Sequence, residues 1–238
     1  MTTTAPADPP SPSPSGPAPG ATSSPPPGAP PLPGAAAPAA STAPPAGSPF
    51  PSAATLALVH APRRELERAL QRGATPDVDA LVGWELRGIN ATPLGAPPIA
   101  RLLGIQKFIK GFYREAGGAR AGRVVGYNTP VVQNVLDGRW RARPSDAAPR
   151  RFGFFEVGPV DATARDNEYL HAVLLDYGKG GNPALDPSRG LRDYLVQLDD
   201  DRWLGKAYYA LGPVRIAVGY FLLERFRRGP AELPPRRG

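Results

Sequence analysis

The sequence predicts a mainly β protein, a barrel or sandwich of short antiparallel strands with one or two short N-terminal helices, behind a disordered Pro/Ala-rich tail. Three observations predict it. The first is a break in composition: of 33 prolines, 18 precede position 52, and Asp8 is the sole charged residue among the first sixty. That stretch carries too little large apolar surface to offset the entropy of ordering itself. The second is six to nine short apolar-aromatic runs, evenly spaced and bounded by Gly, Pro and Asn, over the rest of the chain. The third is Arg202–Arg228, where Trp203–Leu211 and Val214–Phe226 read as two strands joined at Gly212-Pro213. The division expected is a tail over 1–60, one folded domain over 61–230 and a flexible basic end over 231–238.

In chain order, Pro62–Gly73 reads as a helix: proline occupies its first turn, Leu66 and Leu70 share a face, and Gly73 ends it. Thr75, Pro76, Asp77 and Asp79 mark a second helix start, ending near Gly83. Trp84–Asn90 alternates as the first strand. Ala91–Pro98 is a loop, and Ile99–Phe112 carries a helical stripe that gives way to a strand from about Lys107. Ala116–Gly122 is a turn. Arg123–Asn134 is a strand kinked at Asn128-Thr129-Pro130, because proline cannot serve a central ladder. After a polar loop, Asp137–Pro149, come strands at Arg151–Val157, Tyr169–Tyr177 and Leu191–Leu198. The strand Arg151–Val157 puts Phe152, Phe154 and Glu156 on one face and Gly153, Phe155 and Val157 on the other.

Composition excludes some chemistry. The absence of cysteine removes disulfides and thiol nucleophiles. A leader peptide and a spanning helix are both missing from the pattern, so no membrane span and a cytoplasmic location are expected. The net charge of +7 comes largely from arginine, densest in Arg139–Arg151 and Arg225–Arg237. Without an aromatic platform beside it this reads as a solvated surface, and no nucleic-acid partner is expected. The proline-rich tail is either a solubilising spacer or a docking segment for a protein partner.

Catalytic motifs are sparse. His60 and His171 are the two histidines, too few for a zinc site, and no metal or cofactor is expected. No G-x-S-x-G accompanies His171. Asp199-Asp200-Asp201 lacks the spacing of a calcium loop, and Gly178–Pro183 lacks that of a phosphate loop. Polar groups that interrupt aromatic strands are the better candidates. Tyr127, Tyr177, Arg192, Lys206 and Tyr208 are the expected ligand-binding set, with Arg192, Lys206 and Tyr208 at a polar head and the two other tyrosines at the mouth. A filled core, in which such groups satisfy one another, stays open as the alternative. If the pocket is instead an enzyme's, an isomerase or cyclase, then His171, Glu156 or Asp176 is its acid–base group.

A short helix before Gly83-Trp84, a meander of strands, and a last strand carrying Arg225 together resemble the calycin, or lipocalin-like, superfamily. The resemblance implies a single antiparallel β-barrel, and the polar residues on apolar strands motivate the function expected of it: binding a small hydrophobic or amphipathic ligand of the fatty-acid or isoprenoid class without chemistry. The resemblance also implies a structural role for Trp84, stacked on Arg225. The chain is further similar to bacterial GXWXG-domain proteins of unknown function, through Gly83-Trp84 with Gly88, Lys110-Gly111-Phe112, Asp176-Tyr177 with Asn182-Pro183, Leu204-Gly205 and Phe221–Arg225. Here Gly88 follows Trp84 by four positions, and the order at 176–177 is reversed.

Overall fold

The computed structural model describes residues 48–91, 105–164 and 167–235. Eight antiparallel strands follow one another around a closed barrel: β1 Trp84–Ala91, β2 Lys107–Glu115, β3 Val124–Pro130, β4 Phe152–Pro159, β5 Val173–Asp176, β6 Leu191–Gln197, β7 Arg202–Leu211 and β8 Val214–Arg228. Each pairs with the next, and β8 returns to β1, with Gly88 opposite Leu223 and Ile89 opposite Leu222. A two-residue strand, β9 Glu232–Leu233, adds in parallel to the end of β2. Closure leaves the eight strands no free edge, and eight is the number whose interior just holds side chains or one small ligand.

Alternation sets the interior. Leu86 on β1, Phe108 and Phe112 on β2, Phe155 and Val157 on β4, Leu195 on β6, Trp203 on β7 and Phe221 and Leu223 on β8 form one buried cluster. On β4 the expected faces hold from Phe154 to Val157, but Phe152 falls on the cavity side, because a bulge at Gly153 (φ +52) shifts the register against β3. Three interior glycines make room for rings on neighbouring strands. A Cβ at Gly88 would meet the Phe108 ring at 2.2 Å, one at Gly126 the Phe155 ring at 2.2 Å, and one at Gly205 the Phe221 ring at 2.0 Å. The rings therefore lie along the wall rather than across the bore.

The lower end, where β1 begins, is plugged. Helix α3, Val78–Leu81, is capped by Asp77, whose side chain accepts from the amides of Asp79 and Ala80, and drives Leu81 into the interior cluster. Gly83 takes φ +77 to turn from α3 into β1. Beside it the Arg225 guanidinium carbon lies 4.5 Å from the Trp84 ring centre and 5.4 Å from that of Trp203, and Arg225 Nε donates to Asp201 at 2.7 Å. Arg225→Ala is expected to lower the unfolding free energy by about 1–2 kcal/mol, the scale of a partly desolvated cation–π contact. Urea denaturation checks it, and an unchanged midpoint would remove the plug from the account.

The outer wall is covered as well. Helix α2, Arg63–Arg72, lays Leu66 and Leu70 on outward residues of β6–β8, among them Tyr194, Leu204, Tyr208 and Leu222. Helix α1, Ala53–Val59, begins at Ser52, whose hydroxyl accepts from Thr55 and whose amide donates to buried Glu224 at 3.0 Å. Glu224 in turn faces Arg87 across 3.7 Å, and Arg87 donates to Ser48 O.

The fold thus reaches back inside the span assigned to the tail. Residues 48–60 dock on β1 and β8 through a buried ion pair that composition does not reveal. At the other end β9 occupies part of the expected flexible terminus. Strand β3 stops at Pro130, the kink residue, where the missing N–H ends the ladder. Tyr169–Ala172, expected as strand, is a turn leading into a shorter β5. The helical reading of Ile99–Phe112 lies outside the described residues up to 104, and β2 starts at Lys107 as expected.

Candidate functional site

The upper half of the barrel, where β1 ends and β2 begins, is not filled. A cavity of about 180 Å³ lies there, with Phe108, Phe221 and Ala207 among its walls and Asn90, Ile105 and Val218 towards its rim. Four polar side chains point into it from four strands or their ends: Lys110 from β2, Asn128 from β3, Tyr177 just past β5, and Asp193 from β6. Each alternates in phase with interior apolar neighbours, Lys110 between Phe108 and Phe112 and Asp193 between Leu191 and Leu195.

These four form one network. Lys110 Nζ donates to the Tyr177 hydroxyl at 2.7 Å and to Asn128 Oδ1 at 3.1 Å, and stands 3.4 Å from Asp193 Oδ2. Tyr177 donates to the same carboxylate oxygen at 3.1 Å. Asn128 is oriented by donating its amide to Gly153 O at 2.8 Å. Rings surround the ammonium: Phe155, Phe221, Tyr177 and Phe108 have their centres 4.6–5.5 Å from Nζ. Burial is the largest influence on both charged groups. It pushes the Lys110 ammonium down against the pull of Asp193, and it pushes the Asp193 carboxyl up against the pull of Lys110. Burial and the adjacent carboxylate hold the Tyr177 phenol protonated well above its ordinary value. The arrangement brings a base, an acid and a hydroxyl within one proton's reach inside an apolar box.

Tyr177 owes its position to a staple in the following turn. Asn182 donates to Phe154 O at 2.6 Å and Tyr177 O at 2.9 Å, and accepts from the Phe154 amide at 2.9 Å. The glycine-rich run Gly178–Pro183 thus ties the β5–β6 turn to β4.

The other residues singled out from the sequence sit elsewhere. Tyr127 points outward on β3 and donates to Glu85 at 2.8 Å. Arg192 pairs with Asp176 on the outer wall at 3.1 Å. Lys206 and Tyr208 lie under α2: Lys206 Nζ bonds Glu67 at 2.9 Å and Tyr169 at 2.5 Å, and Tyr208 donates to Glu168 at 2.9 Å. Of the expected ligand set, then, Tyr177 faces the cavity and the other four face outward. His171 meets Leu70 O at 3.0 Å beneath α2, and Glu156 pairs with Arg123 near the surface. Sequence reasoning misses Lys110 and Asp193. Their signal is phase, a charge standing where alternation calls for an interior apolar residue. Arg225 stacks on Trp84 at the closed end, away from the cavity. Among the described residues no three His, Cys, Asp or Glu side chains gather to hold a metal, and no helix is long and apolar enough to cross a membrane.

The outer cluster makes its own prediction. Burial raises the pKa of Glu67, but hydrogen bonds from Tyr169, Tyr220 and Lys206 outweigh it, and the carboxyl ends below its ordinary value. A depressed carboxyl contributes stability that is complete above its unfolded pKa and is lost as pH falls through its folded one. Amide exchange in α2 is therefore expected to accelerate relative to the barrel strands once pH drops below about 4.5, the ordinary glutamate value. Uniform acceleration across barrel and helix would contradict this.

No family model matches the chain, and no curated protein matches it. Among solved structures, the chain is similar to a protein from Thermomonospora curvata, at 21% identity and a TM-score of 0.40, over 74% of this chain and 95% of that one.

Proposed function

We propose that this chain is a calycin-like binding protein that holds one small, largely apolar molecule in the upper cavity, by a neutral polar head against Lys110, Tyr177 and Asp193. What supports the reading is a polar cluster of buried groups facing an open space with aromatic walls, the composition of a small-ligand site. The space narrows the ligand class. At about 180 Å³ it equals roughly six waters' share of the liquid and falls below the usual 300–1,000 Å³ of ligand pockets. Within the fatty-acid or isoprenoid class it suits short members, a monoterpene-sized alcohol or ketone rather than a long-chain acid. Charge narrows it further. Lys110 already has its counter-ion in Asp193, so an incoming carboxylate would face a second carboxylate with no spare cation.

Titration calorimetry with geraniol, a short alkanol, octanoate and palmitate tests the proposal. The neutral short ligands are expected to bind, with octanoate at least tenfold weaker and palmitate silent. Tight palmitate binding with no response to the neutral compounds would overturn it.

One observation favours a second reading, an isomerase acting in the same cavity. Lys110 and Asp193 form a buried acid–base pair in contact, with a phenol bridging them. That reading moves the acid–base role from His171, Glu156 and Asp176 to this pair. Loss of α-deuterium from a small labelled ketone, catalysed by the protein, would support it.

A further inference from the structure

Resting on the reading of the cavity as a ligand site, we propose that Lys110 condenses reversibly with a small apolar aldehyde or ketone held there, giving a protonated imine. Three requirements of that reaction meet at one nitrogen. The amine must be able to shed its proton, and its burial away from water favours that. A base must take the proton and later return it, and Asp193 Oδ2 lies 3.4 Å away. A hydroxyl must relay protons to the carbonyl oxygen, and Tyr177 is 2.7 Å from the nitrogen and 3.1 Å from the carboxylate.

The step balances. Asp193 accepts a proton from the Lys110 ammonium, and the freed amine adds to the carbonyl carbon. Tyr177 relays a proton from nitrogen to the oxygen of the adduct. The Asp193 carboxyl then gives its proton to the departing hydroxyl, so one water leaves, the carbon–nitrogen double bond forms, and Asp193 is again a carboxylate. The product nitrogen keeps one positive charge. It therefore keeps the carboxylate and the four surrounding ring faces that hold the ammonium, while the carbon body of the ligand occupies the cavity.

The other three lysines lack this setting. Lys107 Nζ is held by Asn134, Val135 O and Gly138 O, 3.7 Å from the Trp140 ring centre on the outer wall. Lys206 is ion-paired with Glu67 and Glu168 under α2. Lys179 is two-thirds exposed, with its nitrogen 3.9 Å from Asp176, and is not part of the cavity lining.

The test uses the full chain, hydrocinnamaldehyde as probe and cyanoborohydride to reduce any imine to a stable secondary amine, followed by peptide mass mapping. The expected result is one lysine adduct, at Lys110, suppressed at least tenfold by excess hydrocinnamyl alcohol, which fits the cavity and cannot condense. Labelling at Lys107, Lys179 or Lys206 with Lys110 unmodified, or no labelling at all, overturns the proposal. If calorimetry then shows that the alcohol binds, the cavity reading survives without the covalent step; if it does not bind, both fall. Because the map is made on the unaltered chain, the outcome does not depend on a variant folding.

Discussion

Asp193→Ala is expected to lower the unfolding free energy by about 3–5 kcal/mol, the range for a buried pair that loses one partner. Lys110 is 2% exposed, and its remaining contacts would be two neutral acceptors, Tyr177 and Asn128, inside an aromatic box. Without the carboxylate the ammonium has no counter-ion, and it escapes the penalty only by losing its proton. That fixes the sign of the pH dependence. A lysine whose folded pKa is depressed binds fewer protons in the folded than in the unfolded chain between the two pKa values, so the variant regains stability as pH rises towards the ordinary lysine value. The deficit against the parent should be full below the lysine's depressed folded pKa and shrink as pH rises above it. Replacing both partners, Lys110→Met with Asp193→Leu, should recover most of the loss, since a well-packed apolar pair removes the desolvation cost along with the attraction. Urea denaturation at two pH values measures all of this. A deficit under about 1 kcal/mol, or one that grows with pH, would show that the pair is neither buried nor matched.

Gly180→Ala should be nearly as damaging, at about 3 kcal/mol or more, at or beyond the upper end of overpacking costs. Its Cβ would stand 1.9 Å from Phe154 O and 2.2 Å from the carbonyl carbon. Both are backbone atoms of β4, so no side-chain rotation relieves the clash. The turn must lift away, and Asn182, bonded to Phe154 at both ends of its amide, lifts with it. Tyr177 is tied to the same amide and should leave the cavity network. The variant is thus expected to lose ligand binding even where it remains folded. Alanine at Gly158, where nothing lies within 4 Å of an added Cβ, meets no such clash. Denaturation and calorimetry on the two variants separate these effects, and equal behaviour of the pair would refute the steric account.

Much of the barrel was legible because strand alternation survives in the chain. Phe154–Val157 shows its two faces, although the bulge at Gly153 turns Phe152 to the cavity; the hairpin around Gly212-Pro213 shows its turn, and KFIKGFYR marks the start of β2 at Lys107. The polar interior was harder to read. On β7 both faces are apolar, because α2 buries the outer one, so nothing in the run distinguishes Lys206, which points out, from Gly205 and Ala207, which point in. The same ambiguity hid Asp193 beside Tyr194. Which residues meet across strands depends on register, and register is set by long-range pairing that no local pattern reports. Residues 48–60 escape the sequence for a related reason: their place in the fold rests on Arg87 and Glu224, each far along the chain, and not on their own composition.

The rings laid over Gly88, Gly126 and Gly205 give the barrel an adjustable calibre. A single methyl at Gly88 or Gly205 would tip Phe108 or Phe221 toward the axis and narrow the chamber, and it would move a ring that faces the Lys110 ammonium. The size of guest and the setting of the amine are therefore coupled through the same aromatic rings.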